Sequence, residues 1–294
     1  MRVGLFIIMA NKINTNINAL NAQIAGKQFE RKLENTMLKL STGSRINKAG
    51  DDPAGIAVST KFKSQIIGSN MASNNIQDAI AMIQTTDGVL GEISNLMQRM
   101  RELAVQSSTD TYISSDRQDM DTEYQQLEDE INRIVDQTKW NKMNTLNGVG
   151  PSNAATNGEF IIQLGSDNGQ SISVELGNFN IDSSKPYHLL SDLDGLSVLT
   201  QASASAAITS IDNAFVDLAI KRSDFGAYMN RLEHALSNSE IFNSNMSDSN
   251  SRIEDTDFGV ELAELAKYQI LKQAGQAMLT QANAIPNQVL GLLQ

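Results

Sequence analysis

The residues able to carry chemistry are few and dispersed. There are two histidines, His188 and His234. His234 lies between Leu232 and Leu236 in an apolar helical stripe, where it reads as a flank residue, and His188 follows Pro186 in a loop. Neither has a partner at metal-ligand spacing, such as a second His one helical turn away with a Glu between them. Glu128, Asp129 and Glu130 form a charged run near a helix face, not a catalytic pair. Asp51 and Asp52 stand just before Pro53, where helix capping accounts for them. GVGPS (148–152) lacks the Lys-Ser/Thr of a phosphate loop. The absence of cysteine removes thiolate ligands, thiol nucleophiles and disulfides together. Without a convergent site, the chain reads as a non-enzyme with no cofactor and no metal. Asp87 and Arg222 are of a different kind. Each interrupts an apolar heptad, so each is a candidate to set helix register through an ion pair.

The elements around these residues are mainly long helices. The chain is 40% hydrophobic but only 5% aromatic, with four prolines, a composition that suits long thin helices better than a sphere. The net charge of −11 argues against nucleic-acid binding, which needs a basic footprint. The charge is uneven: residues 1–50 hold eight Lys/Arg against two acids, and residues 110–136 hold nine acids against two Arg. No apolar run has the length of a membrane span. MRVGLFII is too short for a signal peptide, so export, if it occurs, takes another route.

Ile13, Ile17, Leu20 and Ile24 are spaced 4-3-4 and resume after a phase shift at Phe29, Leu33, Met37 and Leu40, which predicts one helix with Gly43 as its C-cap. DDPAG (51–55) predicts the start of a second helix, roughly 55–106 and about 75 Å long. Its heptad frame is Ile76, Ile80, Ile83 and Leu90, drifting afterwards to Ile93, Met97 and Met100. Ser115 with Gln118 predicts a capping box for a third helix bearing Met120, Tyr124, Leu127, Ile131 and Ile134. GEFIIQLGSDNGQSISVELGNF (158–179) predicts a hairpin around Asp-Asn-Gly with one covered face. A fourth helix keeps strict 3-4 spacing from Ile208 through Ile211, Phe215, Leu218, Arg222, Phe225, Met229, Leu232 and Leu236, then turns half polar through Ser239, Asn243, Met246 and Asn250. SRIEDTDFG (251–259) breaks it. The last helix carries Phe258, Leu262, Leu265, Leu271, Ala274, Met278 and Ile285 and ends near Pro286.

The layout is nested, so the economical packing folds the chain back on itself: first helix against last, inner helices bundled. The expected fold is mainly α, a long antiparallel bundle or coiled coil with a small β-hairpin insert, its termini forming a separate helical pair. Two helices leave half of each surface wet, yet between Leu271 and Gln294 the only formal side-chain charge is Lys272. A coat of Ala, Gln and Asn packs well and is a poor solvent surface. The expectation is that these ends pack against copies of themselves, through Ile13, Ile17, Leu20 and Ile24 at one end and Leu271, Ala274, Met278 and Ile285 at the other.

Five stretches, INTNINALNAQ (13–23), LSTGSRINKAGDDPAGIAVS (40–59), QTTDGVLGEISNLMQRMRELAVQS (84–107), SRIEDTDFGVELAELAKYQIL (251–271) and QAGQAMLTQANAIPNQVLGLL (273–293), resemble bacterial flagellin, the filament subunit of the flagellum. The resemblance implies an inner helical domain from 9–50 and 253–294. It implies a bundle domain from 51–147 and 201–252 with the hairpin and loops of 148–200, and no variable outer domains. Flagellins of this type begin just before INTN, here at Met9, so residues 1–8 read as an upstream extension. The resemblance further implies unfolded export through the flagellar type III apparatus, assembly under a distal cap, and an export chaperone on the C-terminal segment. Termini that order only on assembly and an extracellular location at the flagellum follow from it as well. QRMREL is similar to the family's motif for Toll-like receptor 5, which would place that contact on Gln98, Arg99, Leu103 and Glu123. The alternatives are a flagellar hook-filament junction protein, which caps or adapts, and a coiled-coil adaptor, which would leave the paired, weakly charged ends unexplained.

Overall fold

In the computed structural model of the chain, residues 15–149, 158–181 and 189–291 are described, the stretch 285–291 by its backbone alone. Residues 1–8, Ile13, His188 and the side chain of Ile285 lie outside the described set. Five helices dominate: α1 (Ile17–Thr42), α2 (Pro53–Ser107), α3 (Ser114–Gln137), α4 (Gln201–Glu254) and α5 (Phe258–Gly291). Four short strands lie between α3 and α4: β1 (Lys139–Trp140), β2 (Met143–Asn144), β3 (Glu159–Gln163) and β4 (Ser171–Glu175). The chain divides into two compact units, residues 1–63 with 247–294 and residues 64–246. The division falls inside α2 and α4, about ten residues into α2 and eight residues before the end of α4.

In the unit 64–246, α2 buries two heptad series. Ser69, Ile76, Ile83, Leu90, Met97 and Ala104 form one, and Ala72, Ala79, Thr86, Ile93, Met100 and Ser107 the other; all are at most 3% exposed. Paired positions that recur every seven residues are the seam of a coiled coil. The expected drift of the stripe after Leu90 is therefore absent, and Ile80 sits at the edge of the core. In α4, Ala204, Ile211, Leu218, Phe225, Leu232 and Ser239 repeat at the same interval. The two helices are antiparallel, as successive cross-links show: Asn243 to Asn70, Ser239 to Ser69, Arg222 to Asp87 and Asp212 to Arg101. The polar half of the α4 stripe thus meets polar residues on α2. Buried Ser239 shares its hydroxyl with Ser69 at 2.8 Å and Ser73 at 2.9 Å. Asp87 and Arg222 pair with each other through bonds of 2.8 and 3.3 Å, and both remain partly exposed. A pair of this kind orients helices more than it stabilises them.

Helix α3 starts at Ser114 with its N-cap at Ile113, two residues before the predicted Ser115, and Asp116 instead of Gln118 accepts the N-cap N–H at 3.3 Å. Its apolar face, Met120, Tyr124, Ile131 and Val135, is buried. A polar row beside that face grips the segment returning from the hairpin. Asp121 accepts from Val198 N at 2.7 Å, and Gln125 donates to Leu196 O at 2.8 Å. Asn132 accepts from Ile181 N at 3.0 Å, and Asp136 accepts from Asn180 Nδ2 at 3.3 Å. An irregular segment without strand partners thereby gets its backbone groups satisfied by helix side chains. Glu128 stands in the same row, with its Oε2 buried and unbonded. Burial, together with the charges of Asp194, Asp129 and Asp121, pushes its carboxyl up to about 7.

The predicted hairpin forms in register, with Phe160 opposite Val174 and Ile162 opposite Ile172. Ile172 and Val174 are buried, and Gly169 takes φ +86° in the turn. The β1–β2 hairpin was not anticipated. Asn141 and Lys142 both take positive φ, the requirement of the tight turn that joins two-residue hairpins.

In the unit 1–63 with 247–294, Asp52 caps α2 by accepting the Gly55 N–H at 2.9 Å. A Cβ at Gly55 would lie 2.4 Å from Asp52 Oδ2 and 2.7 Å from Ile46 Cδ1, so the cap and the approach of Ile46 both need glycine there. Asp51 accepts from Asn47 N and Lys48 N at 3.1 and 2.9 Å. Gly43 closes α1 in the left-handed region at φ 72°, its N–H on Lys39 O. The two polar breaks pair with each other: Arg45 N donates to Glu254 O, Thr256 N to Gly43 O, and Ser44 bridges Asp255. Buried Ser59 donates to Asn250 and Glu254, and Lys63 completes the Glu254 carboxylate. Helix α5 continues through Pro286 to Gly291 instead of ending there.

Two outcomes follow for this fold. Leu90→Ala, at a fully buried seam position, is expected to cost about 2–5 kcal/mol in urea unfolding, whereas Arg222→Ala costs at most about 1 kcal/mol. Because folding raises the Glu128 carboxyl from its ordinary 4.5 to about 7, the folded chain holds a proton there that the unfolded chain releases. Its contribution is greatest below pH 4.5 and is lost as pH rises through about 7. Denaturant midpoints between those pH values should fall with rising pH, and Glu128→Gln should flatten the fall.

Candidate assembly surface

The terminal helices meet antiparallel. Asn16 Nδ2 donates to Ala282 O at 2.7 Å, Lys272 Nζ to Glu30 Oε1 at 2.8 Å, and Lys39 Nζ lies 3.2 Å from Glu261 Oε1. Asn16 also caps α1, accepting from Ala19 N at 3.0 Å. On α5 the covered positions are Glu261, Tyr268 and Ala282, in seven-residue steps with half-covered Gly275 between them, and Leu265, Lys272 and Leu279 alongside. On α1 they are Ala22, Phe29 and Thr36 with Gly26, Leu33 and Leu40. Phe29 packs over Gly275, where an added Cβ would lie 4.0 Å from its Cδ2. Lys32 lies over the Tyr268 ring at 5.6 Å, a cation–π contact on a partly apolar support.

The residues named for packing against copies of the chain lie mostly outside the seam between α1 and α5. Ile17, Leu20 and Ile24 are 54%, 51% and 49% exposed, and Met278 is 64% exposed. Ala274 is exposed as well, and Leu271 is half-covered. The heptad stripes that face inward are built largely of Ala, Gly, Thr and single large residues. Leu271, Ala274, Gly275 and Met278 with Ala22 and Phe29 line an open apolar groove of about 590 Å³. Val260, Leu262 and Ile270 on α5 and Met37 on α1 are exposed too. Scattered single apolar residues on a surface are ordinary, but a continuous apolar side on both members of a pair marks an interaction face. In the described residues of the single chain, α1 and α5 each cover one face of the other, and their second face stays uncovered.

The four receptor-motif positions do not share one surface. Gln98 and Arg99 are exposed on α2. Arg99 bonds Glu123 on α3 at 2.8 Å and Glu102 on its own helix at 3.0 Å. Those carboxylates hold the guanidinium charged by raising it further above its ordinary value. Leu103 is 1% exposed. It is a core residue three positions after Met100 on the buried side of α2 and presents nothing to a partner. His234 is exposed. Among the described residues no group of three or more His, Asp and Glu could hold a metal ion, and no helix is long and apolar enough to cross a membrane.

Fold and surface define a class of protein: a chain of long helices whose two ends pair with each other and keep an apolar face uncovered. Residues 13–150 match the bacterial flagellin N-terminal helical region, and residues 208–293 the bacterial flagellin C-terminal helical region. A flagellin of Halalkalibacterium halodurans is 40% identical over 282 residues, covering 96% of this chain and 99% of that protein. The flagellar filament 30.7 kDa core protein of Treponema maltophilum is 36% identical over 282 residues, with the same 96% and 99% coverage. The crystal structure of Bacillus cereus flagellin overlaps 56% of this chain and 88% of that one at 32% identity, with a TM-score of 0.47. The chain belongs to the bacterial flagellin family.

Truncating the ring that packs over Gly275 should loosen only the terminal pair. Phe29→Ala is expected to cost that pair about 1–3 kcal/mol. In amide hydrogen exchange it should speed α1 and α5 while the amides of residues 72–104 keep their protection.

Proposed function

We infer that the chain is the structural subunit of a bacterial flagellar filament, joined to its copies through the terminal helix pair. One observation carries the reading: in a member of this family, Ile17, Leu20 and Ile24 on α1 and Met278 on α5 face solvent in the single chain. Covering that side with further helices removes apolar area from water, worth about 25 cal/mol for each Å². Growth therefore occurs where a helical surface already stands. The relatives it matches over almost their whole length are flagellins and filament core proteins, which favours the subunit over a hook-filament junction protein or a coiled-coil adaptor.

The finer parts of the proposal follow from that role. The chain is exported through the flagellar apparatus, held before assembly by a chaperone on its C-terminal segment, and added at an extracellular tip under cap proteins. Junction proteins meet its first layer. Seeded polymerisation tests the core of the proposal. Ile24→Asp and Met278→Asp should each stop elongation on wild-type seeds, as seen by negative-stain imaging, while far-UV circular dichroism of the free chain is unchanged. Normal filaments from both variants would remove the assigned face from the interface.

Recognition by Toll-like receptor 5 is proposed for Gln98, Arg99 and Glu123, with Leu103 acting only as the packing residue beneath them. Arg99→Ala is expected to lower receptor signalling by the monomer at least several-fold without changing its unfolding midpoint by more than about 1 kcal/mol. Signalling at the wild-type level would remove these residues from the contact.

A further inference from the structure

We propose that Asn168, at the tip of the β3–β4 hairpin, is a site of spontaneous deamidation that converts a neutral turn into an acidic one. The reaction needs an asparagine followed by a residue whose backbone nitrogen can swing onto the side-chain carbonyl carbon. Glycine serves best, because no Cβ blocks the approach. Asn168 is exposed, and its side chain makes no hydrogen bond to the described residues. Gly169 follows at φ +86°, and nothing lies within 4 Å of where its Cβ would stand. The Gly169 N–H donates to no described group, although its neighbours are held: Gln170 N donates to Asp167 O at 3.4 Å, and Gln163 Nε2 donates to the same carbonyl at 2.6 Å. The turn is pinned on both sides while the reacting pair is left free.

Asn147-Gly148 provides a contrast within the same fold. Asn147 Oδ1 accepts from Val149 N at 3.1 Å, and Asn147 bridges Asn178. Gly148 is buried, and a Cβ on it would lie 2.8 Å from Asn178 Cβ. The ring closure that Asn168 can make freely would here require breaking those contacts first.

The chemistry balances with water alone. Base removes the proton from Gly169 N, the nitrogen attacks Asn168 Cγ, and the Cγ–Nδ2 bond breaks with loss of ammonia. Water then opens the resulting five-membered imide at either carbonyl, leaving aspartate or isoaspartate at position 168. No electron is transferred. The product places a second carboxylate beside Asp167, on the rim of a cavity of about 440 Å³ that is also lined by Gln65, Asn238 and Phe242. Like charges on adjacent residues of an exposed turn repel modestly, so the hairpin becomes more acidic without a cation on that rim to offset it.

The test is independent of the filament reading. Purified full-length chain is held at pH 6 and at pH 8 and sampled over days by mass spectrometry with fragment ions that separate Asn147 from Asn168. Conversion at Asn168 should exceed that at Asn147 by about tenfold or more, the ratio set by the opening that Asn147 needs, and should be faster at pH 8. Asn168→Gln should remove the mass increment at position 168 from the fragment ions while any increment at Asn147 or Asn157 is unchanged. A synthetic peptide spanning residues 164–172 serves as the unfolded reference. If the peptide converts while Asn168 in the protein stays intact, or if Asn147 and Asn168 convert at equal rates, the proposal is overturned.

Discussion

A helix pair can cover only one side of each partner, and most of this structure answers to that limit. An amphipathic helix gains its stability by burying a stripe, not from propensity alone. Between α2 and α4 the stripe is closed by additional layers: α3, the hairpin and the returning segment together bring Tyr124, Val174, Phe179, Leu193 and Val198 into one core with Ile83 and Leu90. Among the described residues, the pair α1 and α5 has no such third layer within its unit. It covers Tyr268, Ala282 and Thr36 and leaves Ile17, Ile24 and Met278 to solvent. The same seven-residue geometry therefore yields a finished core in one unit and an unfinished one in the other.

The polar residues of the inner helices show how such a repeat stays in one register. A seam made only of Ile, Leu and Met would tolerate a slide of seven residues. Ser69 and Ser73 on Ser239, Asn70 on Asn243, and Asp87 on Arg222 each lose a partner if the helices slip, and the buried serines would then stand unsatisfied. The stabilisation gained by each pair is small; the penalty for the wrong register is what selects the right one. On α3, the row from Asp121 to Asp136 does the same for a segment with no regular structure of its own.

Much of this was legible in the sequence because caps and periods are local. Gly43, Asp52 and Pro53 identified the break between α1 and α2, and the Ile172–Val174–Leu176 alternation identified the covered face of the hairpin. The heptad of α4 could be read residue by residue. What escaped was set by small residues. Ala72, Ala79 and Thr86 are as buried as Ile76 and Ile83, but they carry little hydrophobic signal, so the α2 stripe looked as if it drifted. On α5 the inward stripe runs through Gly275 and Ala282, which carry as little hydrophobic signal. Leu103 illustrates the converse: a motif match pointed outward, while its spacing from Met100 pointed inward, and spacing was the better guide. The β1–β2 turn at Asn141–Lys142 depends on positive φ in a lysine, which no propensity favours.

The distribution of charge in the terminal pair separates two tasks that one surface could not perform together. Residues 13–26 and 273–294 contain no charged side chain, and their described parts lie side by side, as the Asn16–Ala282 bond shows. The charged residues are confined to the other half of the pair, where Lys272 meets Glu30 and Lys39 meets Glu261 across the helices. Both pairs are partly exposed, so they add little stability. They do fix which way the helices run and how far each is advanced. Once that is settled, the neighbouring half needs no charge to choose its partner. It can present Asn, Gln, Ala and Ile to whatever helix comes next without stripping water from an ion. A charge placed there would make the free chain more soluble and would raise the cost of every contact the uncovered face could make.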